Sequence, residues 1–139
     1  MAEYAVGVGR EFVGGHMQIG EVADRTGLSL RTIRYYEEVG LAVPSARSQG
    51  GFRLYTEPDV DRLQVIKRMK PLGFQLEEMR ELLTILDALS ATEDDDRDKH
   101  LDRLAQFHTT AEERCEELRA QLRIAEDFAG TLRAHLPNS

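Results

Sequence analysis

Apolar positions recur at helical spacing along most of the chain, interrupted once by a strand-like stretch. Ile19, Val22 and Ala23 share one face of a short helix over 18–25, and Gly27 suits the left-handed residue that ends it. Ser29 is a good N-cap for a second helix from Leu30 to about Val39, which Gly40 closes. Two short helices joined by a tight Gly-containing turn make a helix-turn-helix candidate. From Leu41 to Thr56 the pattern changes. Leu41–Val43 and Phe52–Tyr55 read as short strands, with the turn formers Pro44, Ser45, Ser48, Gly50 and Gly51 between them. This is the pattern of a β-hairpin, or wing. Phe52 and Leu54 alternate with Arg53 and Tyr55, so the first pair is expected inside and the second facing a ligand.

A third helix is expected from near Glu57, with Pro58 in its first turn and Val60, Leu63, Ile66 and Met69 on its apolar face. Pro71, Leu72 and Gly73 break it. A fourth follows from Gln75 to about Leu89, carrying Leu76, Met79, Leu82, Leu83 and Leu86 at helical spacing. Residues 90–98 are acidic and read as a solvated linker. From Lys99 to about His135 one long helix fits. Leu101, Leu104, His108, Ala111, Cys115, Leu118, Leu122, Ala125, Ala129, Leu132 and Leu136 alternate at three and four, an a/d seam of about five heptads. Such a helix is about 55 Å long and leaves its stripe exposed unless a second copy covers it. The expectation is a homodimer closed through Leu104, Ala111, Cys115, Leu118, Leu122, Ala125 and Leu132. Leucine at both a and d leaves the orientation of the pair open.

The fold class that follows is mainly α with a small β-hairpin wing: a winged helix-turn-helix DNA-binding domain, then a long dimerisation helix. The expected divisions are a Gly-rich flexible leader over 1–16, the DNA-binding domain over 17–89, the acidic linker over 90–98, the coiled coil over 99–136 and a tail over 137–139.

The net charge of −7 suits a nucleic-acid binder only when its distribution is considered. Met17 to Phe74 holds nine Lys/Arg against seven Asp/Glu, whereas Gln75 to Ser139 holds eight against sixteen. A mildly basic first half and a strongly acidic second half suggest two separate tasks. No apolar run is long enough to span a bilayer, and glycines and charges interrupt the first sixteen residues where a signal peptide would be continuous. One cysteine, Cys115, cannot form an internal disulfide. A cytoplasmic location without a membrane partner is expected.

On the second helix, Ile33 and Tyr36 share a face, and Arg31, Arg34 and Tyr35 lie on another. Burying the first pair turns the other three outward. Guanidinium groups take phosphates or bond guanine edges in bidentate fashion, and a Tyr hydroxyl donates to phosphate. Ordinary surface charge is the plain alternative for an isolated helix pair. The hairpin shifts the balance, because Arg47, Arg53 and Tyr55 bring further donors just beyond that helix. Arg68 and Lys70 end the third helix beside a backbone break, where they either meet phosphate or complement the helix C-terminus.

Ile19-Gly20-Glu21-Val22-Ala23, Gly27-Leu28-Ser29, Thr32-Ile33-Arg34-Tyr35-Tyr36-Glu37, Gly40-Leu41, Pro44, Arg47 and Gly51-Phe52-Arg53-Leu54-Tyr55 stand in series. Together with Leu72-Gly73-Phe74-Gln75-Leu76-Glu77-Glu78, this series resembles the MerR family of bacterial transcription regulators over residues 17 to about 88. The resemblance implies a second, helical wing and antiparallel C-terminal helices, each touching the partner's DNA-binding domain. It implies that Arg34 and Tyr35 contact DNA from the recognition helix while Arg53 and Tyr55 hold the backbone. Phe52 stands where Tyr is commoner. The full expected DNA-binding set is Arg31, Thr32, Arg34, Tyr35, Arg47, Arg53, Tyr55, Arg68 and Lys70. The family's action implies a palindromic promoter that the dimer bends and untwists for RNA polymerase, against an elastic cost of order 1–6 kcal/mol.

Metal sensing in the family uses several Cys or His. Here His108 and Cys115, with their symmetry mates, could formally supply ligands, but Cys115 reads more plainly as a small apolar seam residue. No metal, cofactor or catalytic constellation is expected, and no effector is identified. The alternatives are an architectural DNA-binding protein that needs no effector, and a regulator controlled by a protein partner.

Overall fold

The computed structural model describes residues 15–91 and 93–138. The leader expected over 1–16 lies, as far as residue 14, outside the described residues. The elements run β1 (Met17–Gln18), α1 (Ile19–Thr26), α2 (Leu30–Glu38), β2 (Ala46–Arg47), β3 (Arg53–Tyr55), α3 (Glu57–Met69), a single 3-10 turn (Lys70–Leu72), α4 (Leu76–Ser90) and α5 (Arg97–His135). The chain divides into two compact units, one ending at Leu83 and the next beginning at Thr84. That division falls inside α4. Among the described residues no helix is long and apolar enough to cross a membrane.

In the first unit the apolar faces converge as their spacing requires. Val22 of α1, Ile33 and Tyr36 of α2, and Leu63 and Ile66 of α3 are buried together with Leu41, Leu54 and Tyr55. Local chemistry sets the helix ends. Ser29 Oγ accepts from the Thr32 N–H at 3.0 Å and starts α2. Thr56 and Asp59 form a reciprocal capping box at the start of α3, with Pro58 in its first turn. Gly40, at φ +74°, closes α2. Its N–H donates to Glu37 O at 2.9 Å and the Leu41 N–H to Tyr36 O at 2.9 Å, the paired bonds of a Schellman motif.

The three-stranded sheet has the order β1-β3-β2 and is antiparallel throughout. Two features correct the sequence expectation. Leu41–Val43 is not a strand: the N–H groups of Leu41 and Ala42 both go to Tyr36 O, at 2.9 and 3.1 Å, so this run finishes the helix instead of pairing. The hairpin strand is Ala46–Arg47, and the third strand is Met17–Gln18, paired with Leu54 and Tyr55. β1 is too short to show a period of two, so the pattern did not reveal it.

In the second unit α5 extends for 39 residues. Phe107 is buried there, with the Arg103 guanidinium stacked 4.4 Å from its ring centroid. His108, expected on the seam, is exposed and lies 3.5 Å from Glu112. An aromatic ring gains far more from burial than an imidazole, so Phe107 takes the buried position within the single chain. Leu104, Ala111 and Cys115 are half-buried, while Leu118, Leu122, Ala125 and Leu132 are exposed in the single chain. Asp94 leads into α5. Its carboxylate accepts from the Asp96 N–H at 3.1 Å and pairs with His100 Nδ1 at 2.8 Å.

Candidate nucleic-acid interface

Burial of Ile33 and Tyr36 fixes the rotation of α2, and Arg31, Arg34 and Tyr35 consequently stand exposed. The Tyr35 ring lies tilted against Tyr36, with centroids 5.6 Å apart, so its position is supported while its edge stays outside. Burial, and then the neighbouring Tyr35, raises the pKa of Tyr36. Thr32 is half-buried, and its hydroxyl accepts from Ser29 Oγ at 2.9 Å. It therefore belongs first to the cap of α2.

The wing is built from a tight turn. Gly51 N–H donates to Ser48 O at 2.9 Å, and Ser48 N–H to Phe52 O at 2.9 Å. Gly51 takes φ +85°, which an L side chain rarely adopts. The register then sets Arg47 directly across from Arg53. Like charges in that position repel unless something lies between them. Glu37, from the last turn of α2, supplies it. One carboxylate oxygen accepts from Arg47 Nη2 at 2.6 Å and the other accepts from Arg53 Nε. The hydrogen bond to Glu37 is the main reason the Arg53 guanidinium has a raised pKa. Arg47 Nη1 also donates to Gly51 O at 3.2 Å, bracing the turn.

Two wing expectations are reversed. Tyr55 was expected to face a ligand, yet it is 0 % exposed, while Phe52, expected inside, is 62 % exposed. β3 is the central strand, and its last residue pairs with Met17 of β1, so both Leu54 and Tyr55 are enclosed. Phe52 precedes the strand at the turn, where alternation no longer applies. Burial pushes the Tyr55 phenol up to about 12, with the Glu37 charge adding to the effect. Its hydroxyl has no hydrogen-bond partner among the described residues. Tyr55 is thus a core residue beneath the wing, not a phosphate donor.

Arg68 and Lys70 are exposed at the end of α3 and the following turn, apart from the Glu37 cluster. The structure therefore groups Arg47 with Arg53, places Arg31, Arg34 and Tyr35 on one exposed helix, and leaves Arg68 and Lys70 on a separate segment. Sequence reasoning missed Glu37. Its only signal was a carboxylate one helical turn past Arg34, and the pattern could not show which distant cations it meets. Among the described residues no three His, Cys, Asp or Glu side chains gather as a metal site requires.

Comparison with known proteins agrees with this geometry. The family model described as MerR HTH family regulatory protein matches residues 17–85, and that described as MerR, DNA binding matches 60–134. The chain is 49 % identical over 70 residues to the mercuric resistance operon regulatory protein of Bacillus cereus, covering 50 % of this chain and 53 % of that protein. It is 34 % identical over 122 residues to the HTH-type transcriptional regulator CueR of Salmonella typhimurium, covering 87 % and 88 %. A solved MerR-family transcriptional regulator from Bacillus cereus is 30 % identical, with a TM-score of 0.56 over 85 % of this chain and 78 % of that one. The match to the first of these spans about half of that relative's length. With two family models that together run from the first strand to the end of the long helix, the chain belongs to the MerR family of DNA-binding transcription regulators.

Proposed function

We propose that this chain binds palindromic promoter DNA as a homodimer and distorts it to control transcription by RNA polymerase in the cytoplasm. The observation that carries the reading is the exposed set Arg31, Arg34 and Tyr35 on α2, with Arg47 and Arg53 held beside the end of that helix. A recognition helix in the major groove and an adjoining hairpin on the backbone use these side-chain types in these places. Arg34 reads bases. Arg53 and Arg47 take phosphates, and Arg68 and Lys70 supply further phosphate contacts. Tyr55 supports the wing from below. The seam Leu118, Leu122, Ala125 and Leu132 joins the two copies, continuing from Leu104, Ala111 and Cys115. The mercuric resistance in one relative's name is not carried over to a ligand here, because the chain contains a single cysteine.

Fluorescence anisotropy on a duplex selected from a random library by the wild-type protein tests the reading. Arg34→Ala weakens the selected duplex and relaxes base preference, costing about 1–3 kcal/mol. Arg53→Ala weakens selected and scrambled duplexes alike and lowers the salt slope by about one. Unchanged binding in both variants overturns the assignment.

A further inference from the structure

Arg53 uses Nε for Glu37, and its two terminal nitrogens carry no hydrogen bond among the described residues. A guanidinium held at its inner nitrogen presents its outer pair as a fixed fork, the geometry that grips a phosphate. Glu37 is itself constrained: its side chain is 19 % exposed, it sits in the last turn of α2, and both oxygens are engaged by opposite strands of the wing. The arrangement spans two elements that are far apart in sequence. Arg47 lies 10 residues and Arg53 lies 16 residues from Glu37.

We propose that Glu37 is the positioning residue of the DNA interface: it locks the wing to the recognition helix and aims the free fork of Arg53 at a backbone phosphate. The proposal rests on Arg53 meeting phosphate. It adds that a negative charge at the interface strengthens specific binding. Coulomb's law alone says the reverse, since an anion beside a polyanion repels it. The difference arises because the Glu37 carboxylate holds two adjacent cations in register, and a phosphate contact made in register adds to the base contacts of α2. Without Glu37, the cross-strand pair Arg47 and Arg53 repel each other and the wing loses its fixed angle.

The sign of the effect is the test. The probes are a duplex selected from a random library by the wild-type protein and a scrambled duplex of equal length. Glu37→Gln removes the charge at nearly constant shape. The expected result is about tenfold weaker binding to the selected duplex, a salt slope lower by about one, and a smaller loss on the scrambled duplex, where removing a negative charge offsets part of the lost phosphate contact. Glu37→Asp keeps the charge but shortens the reach, and also weakens the selected duplex.

Arg53→Lys supplies the control for a merely structural loss. A lysine ammonium has no inner nitrogen to be held while an outer fork is presented, so Glu37 no longer aims it and only draws its charge from the phosphate. In the Arg53→Lys background, Glu37→Gln therefore tightens binding, the opposite of its effect on the wild type. Thermal melting confirms that each variant is folded. If Glu37→Gln tightens or leaves unchanged the selected duplex, or weakens binding equally in both backgrounds, the proposal fails. Failure of the phosphate contact itself is separate, and shows as unchanged binding by Arg53→Ala alone.

Discussion

Lys67 Nζ donates to the backbone carbonyl of Thr26 at 2.6 Å, so a cation on α3 closes the C-terminal end of α1. The carbonyls of a helix's last turn lack partners and carry partial negative charge, which a lysine satisfies on both counts. Gln64 Nε2 adds a bond to Arg25 O at 3.2 Å. Arg80 does the same for α2, donating to Val39 O at 2.9 Å and Gly40 O at 3.3 Å. Both cations serve the fold, although in the sequence Lys67 counts toward the basic half of the chain. Lys67→Met is expected to cost about 1–2 kcal/mol in urea unfolding, the range for a charged hydrogen bond to a helix end. Its DNA salt slope should equal that of the wild type. A lower slope would place Lys67 on the duplex instead.

Gly27 provides an independent check on the same corner. It sits at φ +76°, and an added Cβ would lie 3.1 Å from Lys67 Nζ. Gly27→Ala combines left-handed backbone strain of roughly 1–2 kcal/mol with displacement of that ammonium. Chemical denaturation should show a loss at least as large as for Lys67→Met. Added to Lys67→Met, the change should cost less than the sum, because the two share one contact. Full additivity would mean that the ammonium does not feel the methyl group.

Asp94 provides the pH-dependent element. The hydrogen bond with His100, followed by that from the Asp96 N–H, lowers its pKa below the ordinary carboxylate value. A carboxylate whose folded pKa is depressed stabilises the fold fully above the unfolded value of about 3.9. That contribution disappears as pH falls through the lower folded value. Carbon-13 detection of the Asp94 carboxyl should show a midpoint below that of an unstructured Asp, and His100→Ala should move it upward. No movement would show that the turn, not the imidazole, sets the titration.

The exposed end of α5 predicts the oligomeric state. Leu118, Leu122 and Leu132 present more than two-fifths of their surface to solvent in one chain, at 45 %, 57 % and 52 %. Leu118→Glu sets like charges into the seam and should produce monomers in sedimentation velocity, with weaker operator binding from the loss of one half-site. A dimer that survives the substitution would locate the contact elsewhere on the helix.

Much of the first unit was legible because its rules are local. Ser29, Gly40, Thr56 and Pro58 act within a few residues, and the helices they bound follow from capping and period alone. Ile33 and Tyr36 declared the buried face of α2, and with it the exposed Arg31 and Arg34. The failures share one cause. Tyr55 and Phe52 were assigned by strand alternation, but β3 is central, and its flanking partner β1 is only two residues long.

Helix ends, turns and the seam of α5 depend on neighbours in the chain, so the order of residues already contained them. Which cation meets which carboxylate or carbonyl is another matter. Glu37 reaches Arg47 and Arg53, Lys67 reaches Thr26, and Arg25 reaches Glu57 only after three helices and a hairpin have packed. Those pairings fall off steeply with distance, and distance between remote residues exists only once the chain has folded.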